Sequence, residues 1–490
     1  VPLDIPFQNG PNQGHDVFVP MTQLVGGLEF VGQGWRMLVE CLAEGRGISL
    51  PALSVGAGKT ASRFTGAYAA IRQQFGMPIG RFEGIEEPLA RIAALTYQMD
   101  AARTLTLGAL DIGEKPSVIS AIVKYHLTEK YRLCVNDAMD VQGGSGICLG
   151  PSNLIGRAYQ AIPIAITVEG ANILTRSMII FGQGAIRCHP FLFREMESVA
   201  QRDVAGFDTA LLGHASLVMS NFSRSLFHGL TRGSLLSAPQ HGVAGRYYRQ
   251  FGRMSLAFAV TTEMALMSLG GALKRKESLS GRLGDVLSQL YLGSAVLKQY
   301  FDQGSPEADL PLLEYACDEL LYGIQSRLYE ILDNFPNRFV ARLTRLLTFP
   351  GGKVYRRPLD ALSHRVTGLI LKPGRVRDRL TEGVYIPGDD TQPLAQLEDA
   401  LEKSVAAEAA LRKLRDAMRA GALPHGDPEQ CADDGVTAGV ITVQEAAGIK
   451  AAIEARQRVI QVDDFDPEYL TRERDSWGDN KQAGVAGQSL

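Results

Sequence analysis

The sequence predicts a mostly α chain: a four-helix bundle, an additional helical region after it, and a short remnant of a β domain in front. Three observations carry this prediction. Apolar residues recur every three or four positions through long segments at about 33–75, 84–111, 117–142 and 168–183, the spacing that turns one helix face toward a core. Between these segments, "FGMPIGRFEG", "DIGEKPS" and "QGGSGICLGPSN" combine Gly or Pro with polar turn formers, which breaks helices where a bundle needs its turns. The lead-in is rich in Pro, Gly and Asn around the short β-prone piece "DVFVP", and reads as the tail of a β domain.

At 490 residues the chain exceeds the size at which one hydrophobic core stops growing, so several domains are expected. We place a β-domain remnant at 1–30, the bundle at 31–192, an additional helical domain at 193–385, and a helical extension with a flexible tail at 386–490. The second region opens after "RCHPFLFREMESV". Its segment "GRMSLAFAVTTEMALMSLGGALKRK" is apolar nearly all round but interrupted by Glu263 and two threonines, so it reads as a buried core helix. In the extension, "LEDALEKSVAAEAALRKLRDAMRA" is Ala-rich on one side and carries Glu408 four residues before Arg412, a favourable helical pair.

An apolar fraction of 45% with 21% charged residues fits a folded globular chain. A net charge of -3 provides no basic field for nucleic acid as the main partner. Six scattered cysteines, Cys41, Cys134, Cys148, Cys188, Cys317 and Cys431, form no CxxC pair and suit a reduced compartment. No signal peptide is visible, nor an uncharged apolar run of about eighteen residues. A cytoplasmic location follows, with peripheral contact at the inner face of the cell membrane as an addition. The eight histidines show no HExxH grouping, and His15 and His189 stand isolated, so no metal site is expected.

Several stretches bear on chemistry. "VGAGKTAS" ends like a phosphate loop, but the first glycine of that pattern falls at Leu53 and no strand precedes it, so it reads as a helix packed through small residues. "GGLEFVGQGW" lacks the strand and helix context of a dinucleotide fingerprint. In "IRQQFGMPIGRFEGIEEPLA", Arg72 ends a helix and Phe75 and Gly76 open a loop. The pair serves either as dipole complement and anchor or as an anion clamp with a stacking ring. In "DAMDVQGGSGI", Gly143 is either a helix C-cap or, with Gly144, a bare backbone for a cofactor to lie against. Glu169 follows the apolar run Ala161–Val168. With Thr167 as N-cap it would complement a helix dipole; in an apolar pocket it would be a general base of raised pKa.

Taken in order, "DVFVPMTQLVGGLEFVGQGW", "CLAEGRGISLPALSVGAG", "IRQQFGMPIGRFEGIEEPLARIA", "DVQGGSGI" and "VEGANILTR" resemble the C-terminal half of the acyl-CoA dehydrogenase family over roughly residues 10–190. The 300 residues beyond resemble its enlarged bacterial long-chain form of fatty-acid β-oxidation. The resemblance implies FAD-dependent α,β-dehydrogenation of long-chain fatty acyl-CoA to trans-2-enoyl-CoA. Glu169 would be the catalytic base, with Arg46 and Gly170 on the substrate side. Arg72, Phe75, Gly143 and Gly144 would touch the ADP part of FAD, in the family often held mainly by a neighbouring subunit. It also implies a homo-oligomer that passes electrons to an electron-transfer flavoprotein.

This chain departs from the family pattern at Asp140, Ala171 and Ile173, where the family has residues that contact the flavin. The family's N-terminal helical domain and most of its β domain are absent from these residues, and the chain begins with Val. The expectation is therefore part of an enzyme that alone binds FAD weakly or not at all. A catalytically silent oligomerisation or membrane-docking module and an acyl-CoA oxidase are the alternatives. In the extension, residues 337–380 carry eleven Lys or Arg against two Asp, which suits docking onto anionic lipid headgroups.

Overall fold

The computed structural model describes residues 10, 12–184, 189–388 and 391–468. It divides into two compact units, one of residues 1–142 with 157–386, the other of 143–156 with 387–490.

In the first unit, α1 (Gly34–Ile71), α2 (Glu83–Asp111) and α3 (Ser117–Gln142) pack on one another. Their shared core includes Val55, Phe64, Leu89, Ile92, Leu95, Met99, Leu127 and Val135, and removal of this apolar surface from water is what holds the helices together. Gly58 of "VGAGKTAS" lies in mid-helix, where an added Cβ would stand 2.5 Å from Met99 Cε. Lys59 beside it donates to the Glu382 carbonyl at 3.0 Å and pairs with Asp100 at 3.1 Å, so this stretch is packing, as its sequence implies. Arg91 forks onto Asp137 at 2.7 Å through both nitrogens and ties α2 to α3.

Between α1 and α2 a two-residue hairpin pairs β1 (Gln73–Gln74) with β2 (Met77–Pro78). Its turn residues Phe75 and Gly76 both have positive φ, 52° and 77°, the geometry that matches strand twist in tight hairpins. The piece Asp16–Pro20 forms no strand and is exposed, because no neighbouring strand supplies its hydrogen bonds.

The fourth segment differs from its prediction. The apolar run Ala161–Val168 belongs mostly to a helix of its own, α4 (Gly156–Thr167), with Pro163 inside. The chain then breaks at 168–171 and resumes as α5 (Asn172–Leu174) and a π-helical turn Thr175–Gln183, bent by 48° from α4. Thr167 is therefore no N-cap: it closes α4 and its hydroxyl donates back to the Pro163 carbonyl at 2.7 Å.

The same unit continues through α6 (Leu192–Gln201), α7 (Val204–Leu230), α8 (Gly242–Leu269), α9 (Glu277–Asp302), α10 (Leu310–Asp333), α11 (Arg338–Thr348), α12 (Asp360–Ile370) and α13 (Arg375–Leu380). Arg176 forks onto Asp285 at 2.8 and 2.7 Å, and Asp285 also takes Arg327 at 3.0 Å, which fastens the π-helical turn to α9 and α10. Helix α8, continued to Arg275, is long and apolar enough to cross a membrane by composition, yet 44% of its most apolar window is buried. Glu263 in its middle is buried and hydrogen-bonded to two histidines.

The second unit folds α14 (Pro393–Arg419), α15 (Pro428–Thr437) and α16 (Val443–Ile460) around Ala407, Ala410, Leu414, Ala432 and Ile449. Asp427 caps α15, and Thr442 with Glu445 forms a capping box on α16, each satisfying otherwise orphaned N–H groups. The Glu408–Arg412 pair spans 3.8 Å on the surface and contributes little.

Candidate active site

Glu169 occupies the break after α4. Its φ is 57°, a left-handed conformation that costs a residue with a Cβ roughly 1–3 kcal/mol and persists only where the surroundings impose it. Here they do. Arg46 of α1, 6% exposed, donates from Nε to the Glu169 carbonyl at 2.9 Å. Lys124 of α3, fully buried, donates from Nζ to the Gly170 carbonyl at 2.7 Å and to Asn172 Oδ1 at 2.8 Å. Thr175 adds a bond to the Gly170 carbonyl at 3.2 Å. Gly170 takes φ 104°, open to glycine but strained for other residues.

The backbone is thus held from both sides while the carboxylate is left unused. Glu169 Oε2 is buried and has no hydrogen-bond partner among the described residues, and Oε1 stands over Gly45 of α1. Burial raises the Glu169 pKa, against the opposing pull of Lys124 and Arg46. Burial also lowers the Arg46 pKa and brings Lys124 down to about 8. An unpaired acceptor of raised proton affinity, flanked by two cations, can take a proton from a weak carbon acid and stabilise negative charge formed beside it.

Three of the residues singled out in sequence, Glu169, Gly170 and Arg46, therefore meet. Arg46 meets Glu169 through the backbone carbonyl. Arg72 caps the C-terminus of α1, its N–H bonded to the Tyr68 carbonyl at 2.8 Å, and Phe75 at the hairpin tip is 95% exposed. Gly143 (φ 65°) and Gly144 belong to the second unit, are exposed, and have open space where a Cβ would stand. Asp140, Ala171 and Ile173 are all exposed.

Sequence reading missed Lys124, whose place in a helical pattern suggests a solvated cation, and it missed a cluster around His189. His189 Nδ1 accepts from the Phe191 and Leu192 N–H groups at 3.2 and 3.0 Å, capping α6. Its Nε2 therefore carries the proton and donates to Glu263 Oε1 at 2.7 Å. His214 meets Glu263 Oε2 through Nε2 at 3.1 Å and Glu195 through Nδ1 at 2.8 Å. A carboxylate at each ring nitrogen favours the charged form of His214; burial opposes its charge, but the bonds to Glu263 and Glu195 raise its pKa overall. The same two histidines hold the Glu263 pKa down against its burial. A metal at these ligands would need His189 Nε2 unprotonated, which the two N–H groups facing Nδ1 oppose. The cluster reads as a buried charge network.

A helical bundle that holds a half-buried carboxylate at a helix break, with one oxygen buried and without a partner among the described residues, defines the class of site: one suited to a general base. Residues 186–465 match the family model described as acyl-CoA dehydrogenase, C-terminal, bacterial type, and residues 32–182 match the acyl-CoA dehydrogenase C-terminal domain. The chain belongs to the acyl-CoA dehydrogenase family.

It is 26% identical over 300 residues to the probable acyl-CoA dehydrogenase FadE10 of Mycobacterium bovis, covering 59% of this chain and 44% of that one. It is 25% identical over 358 residues to the mitochondrial very long-chain specific acyl-CoA dehydrogenase of Rattus norvegicus, covering 70% of this chain and 52% of that one. The chain thus spans about half the length of these relatives. A 66-residue stretch is 59% identical to Protein HemX of Proteus mirabilis, but this covers 14% of the chain and 39% of that protein. Among solved structures, an acyl-CoA dehydrogenase from Bacillus anthracis complexed with FAD aligns with a TM-score of 0.55 at 20% identity, covering 69% of this chain and 57% of that one. That likeness shows a common fold.

Proposed function

We propose that the protein acts in the FAD-dependent α,β-dehydrogenation of long-chain fatty acyl-CoA to trans-2-enoyl-CoA. The observation that supports this best is the buried Glu169 Oε2 without a partner, since a buried polar atom left unsatisfied calls for a functional account. A silent oligomerisation or docking module would have no use for it.

In this mechanism the α C–H of the thioester lies against Oε2, and the carboxylate takes its proton. Burial of that oxygen keeps water from competing for it, and raises the affinity for the proton that must be accepted. Arg46 keeps the Glu169 backbone in place during the transfer, so the base needs no reorganisation. FAD, when bound, supplies the acceptor for the hydride that leaves the β carbon. Arg72 and the exposed ring of Phe75 have the character that an adenosine diphosphate moiety requires, a cation and a stacking face; Gly143 and Gly144, in the second unit, offer bare backbone of their own. Preference for long chains draws on the likeness to the rat very long-chain enzyme; a homo-oligomer and transfer to an electron-transfer flavoprotein are part of the same reading.

The test is direct: the full-length protein, loaded with FAD, is assayed with palmitoyl-CoA and an artificial electron acceptor, following enoyl-CoA absorbance. Turnover should exceed that with a short-chain acyl-CoA. Absence of enoyl-CoA with every chain length from a flavin-loaded preparation would refute the reading.

Contact with an anionic membrane has its own supporting observation. Helix α11 exposes Phe339, Leu343 and Leu346 as one stripe and Arg338, Arg342 and Arg345 as the next, while Ala341, Thr344 and Thr348 face inward. Such a face can seat apolar side chains among lipid headgroups and cations above them. The basic stretch contributes less than its count suggests, because Arg377 is buried against the Arg63 carbonyl and Arg365 and Arg379 pair with Glu314 and Asp309. Replacing Phe339 and Leu346 by serine should reduce co-sedimentation with vesicles containing anionic lipid severalfold and leave binding to neutral vesicles at background. Equal co-sedimentation of wild type and variant would count against it.

A further inference from the structure

Lys124 is a charged group at the Glu169 break to which the proposed mechanism gives no part. A fully buried ammonium is costly to desolvate, and a simple brace between two helices could be made by an uncharged donor. The surroundings of Lys124 are specific. Its Nζ grips the two groups that flank Ala171, the Gly170 carbonyl and Asn172 Oδ1. Asn172 is fixed in turn, its Nδ2 donating to Glu129 Oε1 at 2.7 Å and Thr128 Oγ1 at 3.0 Å. Two turns of α3 thereby hold the residues that follow Glu169, while Arg46 on α1 holds Glu169 itself.

We infer that Lys124 is a positioning residue for the Glu169 base: it clamps Gly170 and Asn172, and so maintains the left-handed backbone that presents the carboxylate. This rests on reading Glu169 as the base. The clamp also sets the proton affinity of that base. The charged groups acting on Glu169 are Lys124 and Arg46, and both favour its anion. Lys124 in turn is influenced by Glu169, Arg46 and Glu129. Loss of the ammonium therefore raises the Glu169 pKa and moves the acid limb of activity to higher pH.

In the full-length protein, Lys124→Met should lower kcat at least tenfold with KM within about twofold. It should also shift the acid limb of the pH–rate profile upward by about one unit or more, the size expected on losing an adjacent opposite charge. Lys124→Arg, which keeps a cation and its donors, should keep the limb within a few tenths of the wild-type position. A readout without turnover is the Glu169 carboxylate band in infrared difference spectra of wild type against Glu169→Gln. Its titration should show a second step near pH 8, where Lys124 loses its proton. A single-step titration, or a Lys124→Met enzyme that is merely less stable with an unmoved acid limb, overturns the inference, and the infrared arm decides it even if neither lysine variant folds. Should Glu169→Gln itself retain turnover, the base assignment falls and this inference with it; an inactive Glu169→Gln beside an unshifted Lys124→Met removes the clamp alone.

Discussion

Replacing Glu169 by glutamine is expected to reduce kcat for acyl-CoA oxidation by about 100- to 10,000-fold, the usual contribution of a positioned base. The substitution is nearly isosteric. The bonds from Arg46 to the Glu169 carbonyl and from Lys124 to Gly170 involve backbone oxygens, so they survive it. What disappears is a buried anionic oxygen that has no hydrogen-bond partner among the described residues. Since burial raises the Glu169 pKa, the folded state holds its proton more tightly than the unfolded chain, and ionised Glu169 costs stability as pH rises above its ordinary range. The glutamine variant should therefore melt at the same temperature as the parent or slightly higher at neutral pH. Calorimetry beside steady-state kinetics separates lost chemistry from a lost fold. Turnover within tenfold of the parent would remove Glu169 as the base.

The largest effect on stability is expected at Glu263. Its two oxygens satisfy His189 and His214, and its side chain is 4% exposed. Glu263→Leu would leave His214 beside Glu195 alone and the His189 N–H without an acceptor. Breaking a buried charged network by removing one partner costs about 3–5 kcal/mol, readable as a shift in the urea midpoint. The network also gives the parent protein a pH signature. His214 has a raised folded pKa, so its contribution is complete below its ordinary value of 6.5 and is lost as pH rises through the folded one. Glu263 has a lowered folded pKa, so its contribution is complete above its ordinary 4.5 and is lost as pH falls through the folded one. The stabilisation should be greatest between those two ordinary values and decline on either side. In Glu263→Leu both slopes should flatten; an unchanged profile would show that the network contributes no linkage.

The parts legible in sequence are those fixed by local pattern. Apolar spacing located α1, α2 and α3 closely, because long stretches of each are buried, Ile92–Met99 of α2 on every face, and the Gly- and Pro-bearing breaks fell where the turns are. Helix α4 was hidden by its composition: its second half is a short apolar run with Pro163 inside, and its length does not separate it from the segment that follows. The left-handed Glu169 was hidden for a different reason. Only Gly170 announces a turn, and the conformation of the glutamate is imposed by Arg46 and Lys124, which lie 123 and about 45 residues away in the chain. The His189 cluster assembles groups 49 and 74 positions apart, so no local motif could reveal it. The expected carboxylate was found by resemblance; its anchoring was readable only from the fold.

The break after α4 also divides the segment 169–175 into two populations. Asn172 and Thr175 are buried and bond within the group that holds the Glu169 backbone, whereas Ala171 and Ile173 are exposed, the latter 83%. These exposed positions are two of the three at which the chain departs from the family pattern. Substitution of Ala171 or Ile173 is therefore expected to leave the bonds from Arg46 to the Glu169 carbonyl and from Lys124 to Gly170 and Asn172 in place, so this one short segment separates its exposed identity from its internal anchoring.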